Sequence, residues 1–161
     1  MRVFSVLALC ALSFSAIAEN PFFAFDNGVG RGVWSPDEQA ACLEELGYAG
    51  ISYQDEVDLD VRLAAFEAHK LKIFNVYVPC HVDKVPAYTP DLVRAIARLK
   101  GTGVDLWLTV QGKADDDTTA VNAIQEIADL ASKSGLRVAL YPHAGFHVAT
   151  LDDALRVVEK V

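Results

Sequence analysis

The chain has 161 residues, 52% of them hydrophobic, and carries 14 basic against 22 acidic side chains, a formal charge of -8 at pH 7. That length fits one domain with a sizeable core. An acidic chain with no basic stripe is repelled by phosphate backbones, which sets nucleic acid aside as a partner.

Arg2 gives a short positive start, Val3 to Ile17 is an almost unbroken apolar run, and Ala16-Ile17-Ala18 offers a cleavage site. Residues 1–18 read as a signal peptide, so the mature protein is expected to begin at Glu19 and to be secreted or periplasmic. An uncut anchor is the alternative, although the run is short for a membrane span. After cleavage no membrane association is expected. Losing Arg2 and no acid takes the charge from -8 to -9.

The rest reads as five βα units. The first strand is Phe22 to Phe25, and Ser35-Pro36-Asp37-Glu38 opens a helix with a capping serine, a first-turn proline and a Glu that can complete a capping box. Gly47 ends that helix. A second strand covers Ala49 to Tyr53, and a helix from Asp58 places Leu59, Leu63 and Phe66 on one face. The third strand is Ile73 to Val78; its helix opens at Thr89-Pro90, carries Leu92, Ile96 and Leu99, and breaks at Gly101 and Gly103. The fourth strand is Val104 to Val110. Its helix begins near Asp117, is expected to bury Val121, Ile124, Ala128 and Ala131, and stops at Ser134-Gly135. The fifth strand is Leu136 to Tyr141, and Thr150-Leu151-Asp152-Asp153 caps a helix expected to be still running at Val161.

Apolar strands each followed by an amphipathic helix predict an α/β fold with a parallel sheet covered by helices. Each unit takes about 29 residues, and eight would need on the order of 230, the usual size of a (β/α)8 barrel. Five units therefore fit either a partial barrel or a complete five-stranded doubly wound parallel sheet.

The segments FFAFDNGVGRG, SPDEQAACLEELGYAGISY and GLRVALYPHAGFHVATLDDALRVVEKV resemble the xylose isomerase-like TIM-barrel superfamily. That group joins sugar phosphate isomerases and epimerases with apurinic-site endonucleases. The likeness spans essentially residues 20–161 and implies the first five units of a partial (β/α)8 TIM barrel. It also implies a divalent metal, held in active members partly by a glutamate that ends strand five in a Leu-Glu-Asn-His-like sequence. Here that stretch is Leu140-Tyr141-Pro142-His143, so Tyr141 stands where the metal carboxylate would be. A neutral phenol is a poor replacement. Other ligands in the family come from strands six to eight, so a complete metal site is not expected from this polypeptide.

In such folds chemistry collects where strands feed loops. Asp26 and Asn27 follow the first strand, where they either hold a sugar hydroxyl or make the Asp-Asn-Gly turn. Tyr53, Gln54 and Asp55 end the second, as substrate contacts or as a solvated loop start. His81 follows Pro79-Cys80 as a ligand, a base or an ordinary loop histidine. Gln111 closes the fourth strand after Trp107 and Thr109 and can bond a polar substrate. Tyr141, His143 and His147 lie at the fifth. His81 and His143 are the candidates for catalysis and the weak candidates for metal, while Asp26, Asn27, Tyr53, Gln111, Tyr141 and His147 are the candidates for substrate. Asp115, Asp116 and Asp117 read as a solvated turn and helix start. Gly28 to Gly32 reads as a flexible loop over the mouth. Cys42 and Cys80 read as free thiols, with a disulfide between them open.

The resemblance implies an exported sugar phosphate isomerase/epimerase-like protein that moves a proton next to a sugar carbonyl with a metal's help. The alternatives are a non-catalytic carbohydrate-binding barrel and a fragment without function. The implied partner is a small-molecule carbohydrate. An open sector would also leave Phe23, Val76 and Leu108 facing inward without opposing strands, with self-association through the sheet edges as the expected result.

Overall fold

The computed structural model describes residues 20–161, so the expected signal peptide, residues 1–18, lies outside the described residues. Five strands alternate with five helices: β1 Phe23–Phe25, α1 Pro36–Glu45, β2 Gly50–Tyr53, α2 Leu59–Ala68, β3 Lys72–His81, α3 Pro90–Arg98, β4 Asp105–Gln111, α4 Thr118–Lys133, β5 Val138–Leu140 and α5 Leu151–Val158. The local signals for α1 act as read. The Ser35 hydroxyl accepts the Glu38 N–H, and the Glu38 carboxylate accepts the Ser35 N–H at 2.7 Å. Thr150 and Asp153 close the same reciprocal box on α5.

All four strand pairs are parallel and the order is β1-β2-β3-β4-β5. A doubly wound sheet reverses its strand order at a switch point; this sheet never does. With every crossover right-handed, a monotonic order puts all helices on one side and leaves the other side concave, which is a sector of a barrel. β1 and β5 are its two edges, three residues each.

The register fixes which side chains face the helices. Val76, Val78 and Cys80 pair with Leu106, Leu108 and Val110, and all six are fully buried beneath the helices. Tyr77, Pro79 and His81 pair with Trp107, Thr109 and Gln111 on the concave face. Val76 and Leu108 therefore do not point inward as expected; of that trio only Phe23 does, where it stacks on Phe74 at 4.8 Å. Parity was concealed because both faces of β3 and β4 carry large apolar or aromatic residues.

Other expectations shift for local reasons. β3 runs on through Pro79 to His81, so Cys80 and His81 belong to a strand and not to a loop. The N–H of Val82 bonds to Gln111 on β4, whereas that of His81 points the other way, to Ala87. By alternation the Pro79 nitrogen is also turned away from β4, toward the side where β2 has already ended opposite Val76. No ladder bond is lost there. On α4 the buried stripe is Ala120, Ala123, Ile124, Ile127 and Ala131, with Val121 and Ala128 only half-buried. α5 does not continue to Val161 but ends at Val158, and Lys160 reaches back to Asp117 at 2.6 Å. Cys42 and Cys80 are free thiols, and burial pushes the Cys80 pKa up to about 11. Among the described residues no helix is long and apolar enough to cross a membrane.

Candidate functional site

A cleft of about 590 Å³ opens on the concave side at the C-terminal ends of the strands. Its floor is aromatic because Tyr77 and Tyr141 line it, with the Trp107 ring packed against both. Tyr77 of β3 meets Trp107 of β4 edge-on at 5.4 Å and Tyr141, just past β5, at 4.7 Å. Trp107 and Tyr141 are stacked, 5.7 Å apart and 18° from parallel. Phe25 adds a ring from the β1 side, 6.1 Å from Tyr77. The wall continues upward through His143, which stacks on Phe146 at 4.5 Å.

The rim is polar. Asp26 starts a short 3-10 turn, Asp26–Gly28, and is 2% exposed. Its carboxylate accepts the Arg31 guanidinium at 2.8 Å and the Gln54 N–H at 3.3 Å, so it ties the loop after β1 to the end of β2. Asn27 stands beside it, exposed to the cleft. Asp55 accepts Arg62 at 2.8 Å, and Glu56 and Val57 complete that side. Across the cleft the Gln111 amide donates to the Thr109 hydroxyl at 2.9 Å, leaving its carbonyl oxygen for other partners.

Asp26, Asn27, Gln111, Tyr141 and His143 thus come together in one cleft, while three other predicted residues lie elsewhere. Tyr53 is 2% exposed on the helix side of β2, under the Arg62 guanidinium, and donates to Gln39 at 2.7 Å; Gln39 in turn donates to the Val29 carbonyl at 2.6 Å. Burial holds its phenol well above the usual range. It braces the loop from behind. His81 pairs in register with Gln111 but does not line the cleft. His147, four residues after His143, bonds through Nε2 to Asp117 at 3.1 Å, whereas the His143 Nδ1 meets the Ala144 carbonyl.

Asp117 corrects a further expectation. Asp115 and Asp116 are exposed, but Asp117 is 7% exposed and is held by Arg156, Lys160 and His147. The Arg156 and Lys160 hydrogen bonds, in that order, hold its carboxyl well below the usual carboxylate range. It anchors α5 to the start of α4.

Sequence reasoning passed over Tyr77, Arg31, Glu56 and Phe146. Tyr77 was hidden because β3 is apolar or aromatic on both faces, so alternation along the strand did not say which residues face the cleft. Arg31 was hidden inside a loop read as flexible, yet Gly30 and Gly32 adopt φ of 62° and 71°, which fold the loop back so that Arg31 meets Asp26.

No protein-family model matches the sequence, and no curated protein matches it. Solved structures do. A D-allulose 3-epimerase from Methylomonas sp., in complex with D-allulose, superposes with a TM-score of 0.69 at 18% identity, over 87% of this chain and 58% of that one. A xylose isomerase-like TIM barrel protein from Mycobacterium smegmatis in complex with magnesium gives 0.62 at 18% identity, over 86% and 60%. The chain has the fold of the xylose isomerase-like TIM barrels. A family 2 AP endonuclease from Brucella melitensis shares that fold, with a TM-score of 0.67 at 16% identity over 88% of this chain and 64% of that one. The chain spans about three fifths of the length of these barrels, and its cleft occupies the end of the strands where TIM barrels carry their chemistry.

Proposed function

We propose that this chain is the sugar-binding sector of a sugar isomerase/epimerase-like barrel. The observation that carries this reading is one cleft with an aromatic floor and a rim of amide and carboxylate groups. The apolar C–H face of a sugar ring packs on Tyr141, which the Trp107 ring supports by stacking, and its hydroxyls are met by Asn27, Gln54 and Gln111. The D-allulose bound to the Methylomonas epimerase supports a carbohydrate of that size. Titrating D-allulose or a related hexose into the protein should shift the indole resonance of Trp107 and quench its fluorescence. A response confined to other residues, or none with any hexose, would count against the site.

The fold implies a divalent metal, and one neighbour is a magnesium complex. The donors present here do not fit one. Tyr141 occupies the strand-five position, Asp26 is committed to Arg31 and Asp55 to Arg62. Among the described residues no group of three His, Cys, Asp or Glu side chains is placed to hold an ion. The cleft of this chain is a binding site built from rings, amides and paired carboxylates. Calorimetry with Mn²⁺ or Mg²⁺ is expected to give only weak, non-stoichiometric heats. One tight site that disappears in His143→Ala would overturn this.

Export belongs to the same reading, on the strength of Arg2, the apolar run and Ala16-Ile17-Ala18. N-terminal sequencing of secreted material should return Glu19 first; an intact Met1 would refute it.

A further inference from the structure

Among the described residues Tyr77 alone has a buried side-chain polar atom with no hydrogen-bond partner. The residue is 8% exposed and lies on the cleft floor. Neither Ser52 on the neighbouring strand, which donates to Asn75, nor Tyr141, whose ring stands edge-on against Tyr77, meets the Tyr77 hydroxyl in hydrogen-bonding geometry. Burial first, and the neighbouring Tyr141 second, hold the Tyr77 phenol well above its ordinary pKa, so it remains a neutral donor. An orphaned buried hydroxyl destabilises the fold, and a ligand hydroxyl would satisfy it. Tyr141 lies beyond the last residue of the edge strand β5. Its ring can rotate off Tyr77 without breaking a strand pair.

Charge narrows the ligand further. The cleft is lined by Asp26, Asp55 and Glu56, and Arg31 is the one Arg or Lys among its lining residues. Arg31 is bound to Asp26 at 2.8 Å, so no free guanidinium or ammonium faces the cleft. A phosphate dianion would meet net negative charge and lack the bidentate cation that such groups need.

Resting on the reading of the cleft as a carbohydrate site, we propose that its ligand is an uncharged sugar, one hydroxyl of which pairs with Tyr77, and that the phosphorylated form is rejected. The test is equilibrium binding by the full chain of D-allulose, D-fructose and D-glucose, each against its 6-phosphate, in the native protein and in Tyr77→Phe. The expected result is that a free sugar binds at least about tenfold more tightly than its phosphate, with the gap narrowing in high salt. Tyr77→Phe should weaken the free sugar by about tenfold, the worth of one hydrogen bond, with a melting temperature unchanged or raised. A purely structural hydroxyl would instead lower the melting temperature on removal. Equal or tighter binding of a phosphate would overturn the uncharged-ligand inference and leave the carbohydrate reading standing. Unchanged sugar affinity or a lower melting temperature in Tyr77→Phe would remove Tyr77 from the site. Failure of every sugar and every phosphate to bind would sink the carbohydrate reading and this inference with it.

Discussion

Gly50→Ala is expected to lower the unfolding free energy by about 3 kcal/mol, at the upper end of overpacking costs. Gly50 opens β2 opposite Lys72 of β3, and a Cβ placed on it would run into the Lys72 carbonyl. The obstacle is backbone, so no rotamer change relieves it. Relief requires β2 and β3 to separate at the centre of the sheet, where Ile51 and Ile73 bury their side chains. Gly47→Ala is the control. Its φ of 75° also lies on the positive side that alanine disfavours, but nothing lies within 4 Å of the added atom. It should cost only about 1 kcal/mol, the conformational penalty alone. Urea unfolding of both variants separates the two causes. Equal losses would mean that β2 and β3 do not approach as closely as described.

Asp117→Asn should cost about 2 kcal/mol at neutral pH. Breaking a buried ion pair costs 3–5 kcal/mol when the partner is left without solvent. Arg156 and Lys160 are 43% and 52% exposed, so water recovers part of that. The folded-state pKa of Asp117 is depressed, so its contribution is complete above the unfolded value near 3.9 and is lost as pH falls below it toward the folded value. Native protein should therefore lose stability on acidification below about pH 4, and Asp117→Asn should lose less over the same range. Parallel pH curves for the two proteins would show that Asp117 is not the group being titrated. Because Asp117 holds α5, hydrogen exchange in residues 151–158 of the variant should rise before that of β3.

Much of the architecture is written locally. Ser35 with Glu38, and Thr150 with Asp153, mark helix starts by bonds spanning three residues, and such bonds form whatever the rest of the chain does. Apolar runs of four to seven residues between helices identify buried parallel strands. Strand ends are less legible: Pro79 reads as a stop, and only the early end of β2 makes it tolerable in mid-strand. Among the residues that line the cleft, Asp26, Asn27, Gln111, Tyr141 and His143 were legible because a strand end is a local feature that predicts a shared mouth.

The sequence by itself determined five βα units, their order and the residues at each strand's end, because capping, turn chemistry and side-chain period act over a few residues. Three other matters were decided by tertiary structure alone. Strand order excluded the doubly wound sheet, since pairing between strands about 29 residues apart leaves no local trace. Parity at Tyr77 and Trp107 put rings on the concave face and Val76 and Leu108 under the helices, a choice that a strand apolar on both faces does not encode. Partners that reach a carboxylate across long separations, the Gln54 N–H at Asp26 and the Lys160 ammonium at Asp117, turned apparent loop acids into anchors. Such contacts depend on where the backbone places each carboxylate after folding, and a buried carboxylate persists only where those partners arrive.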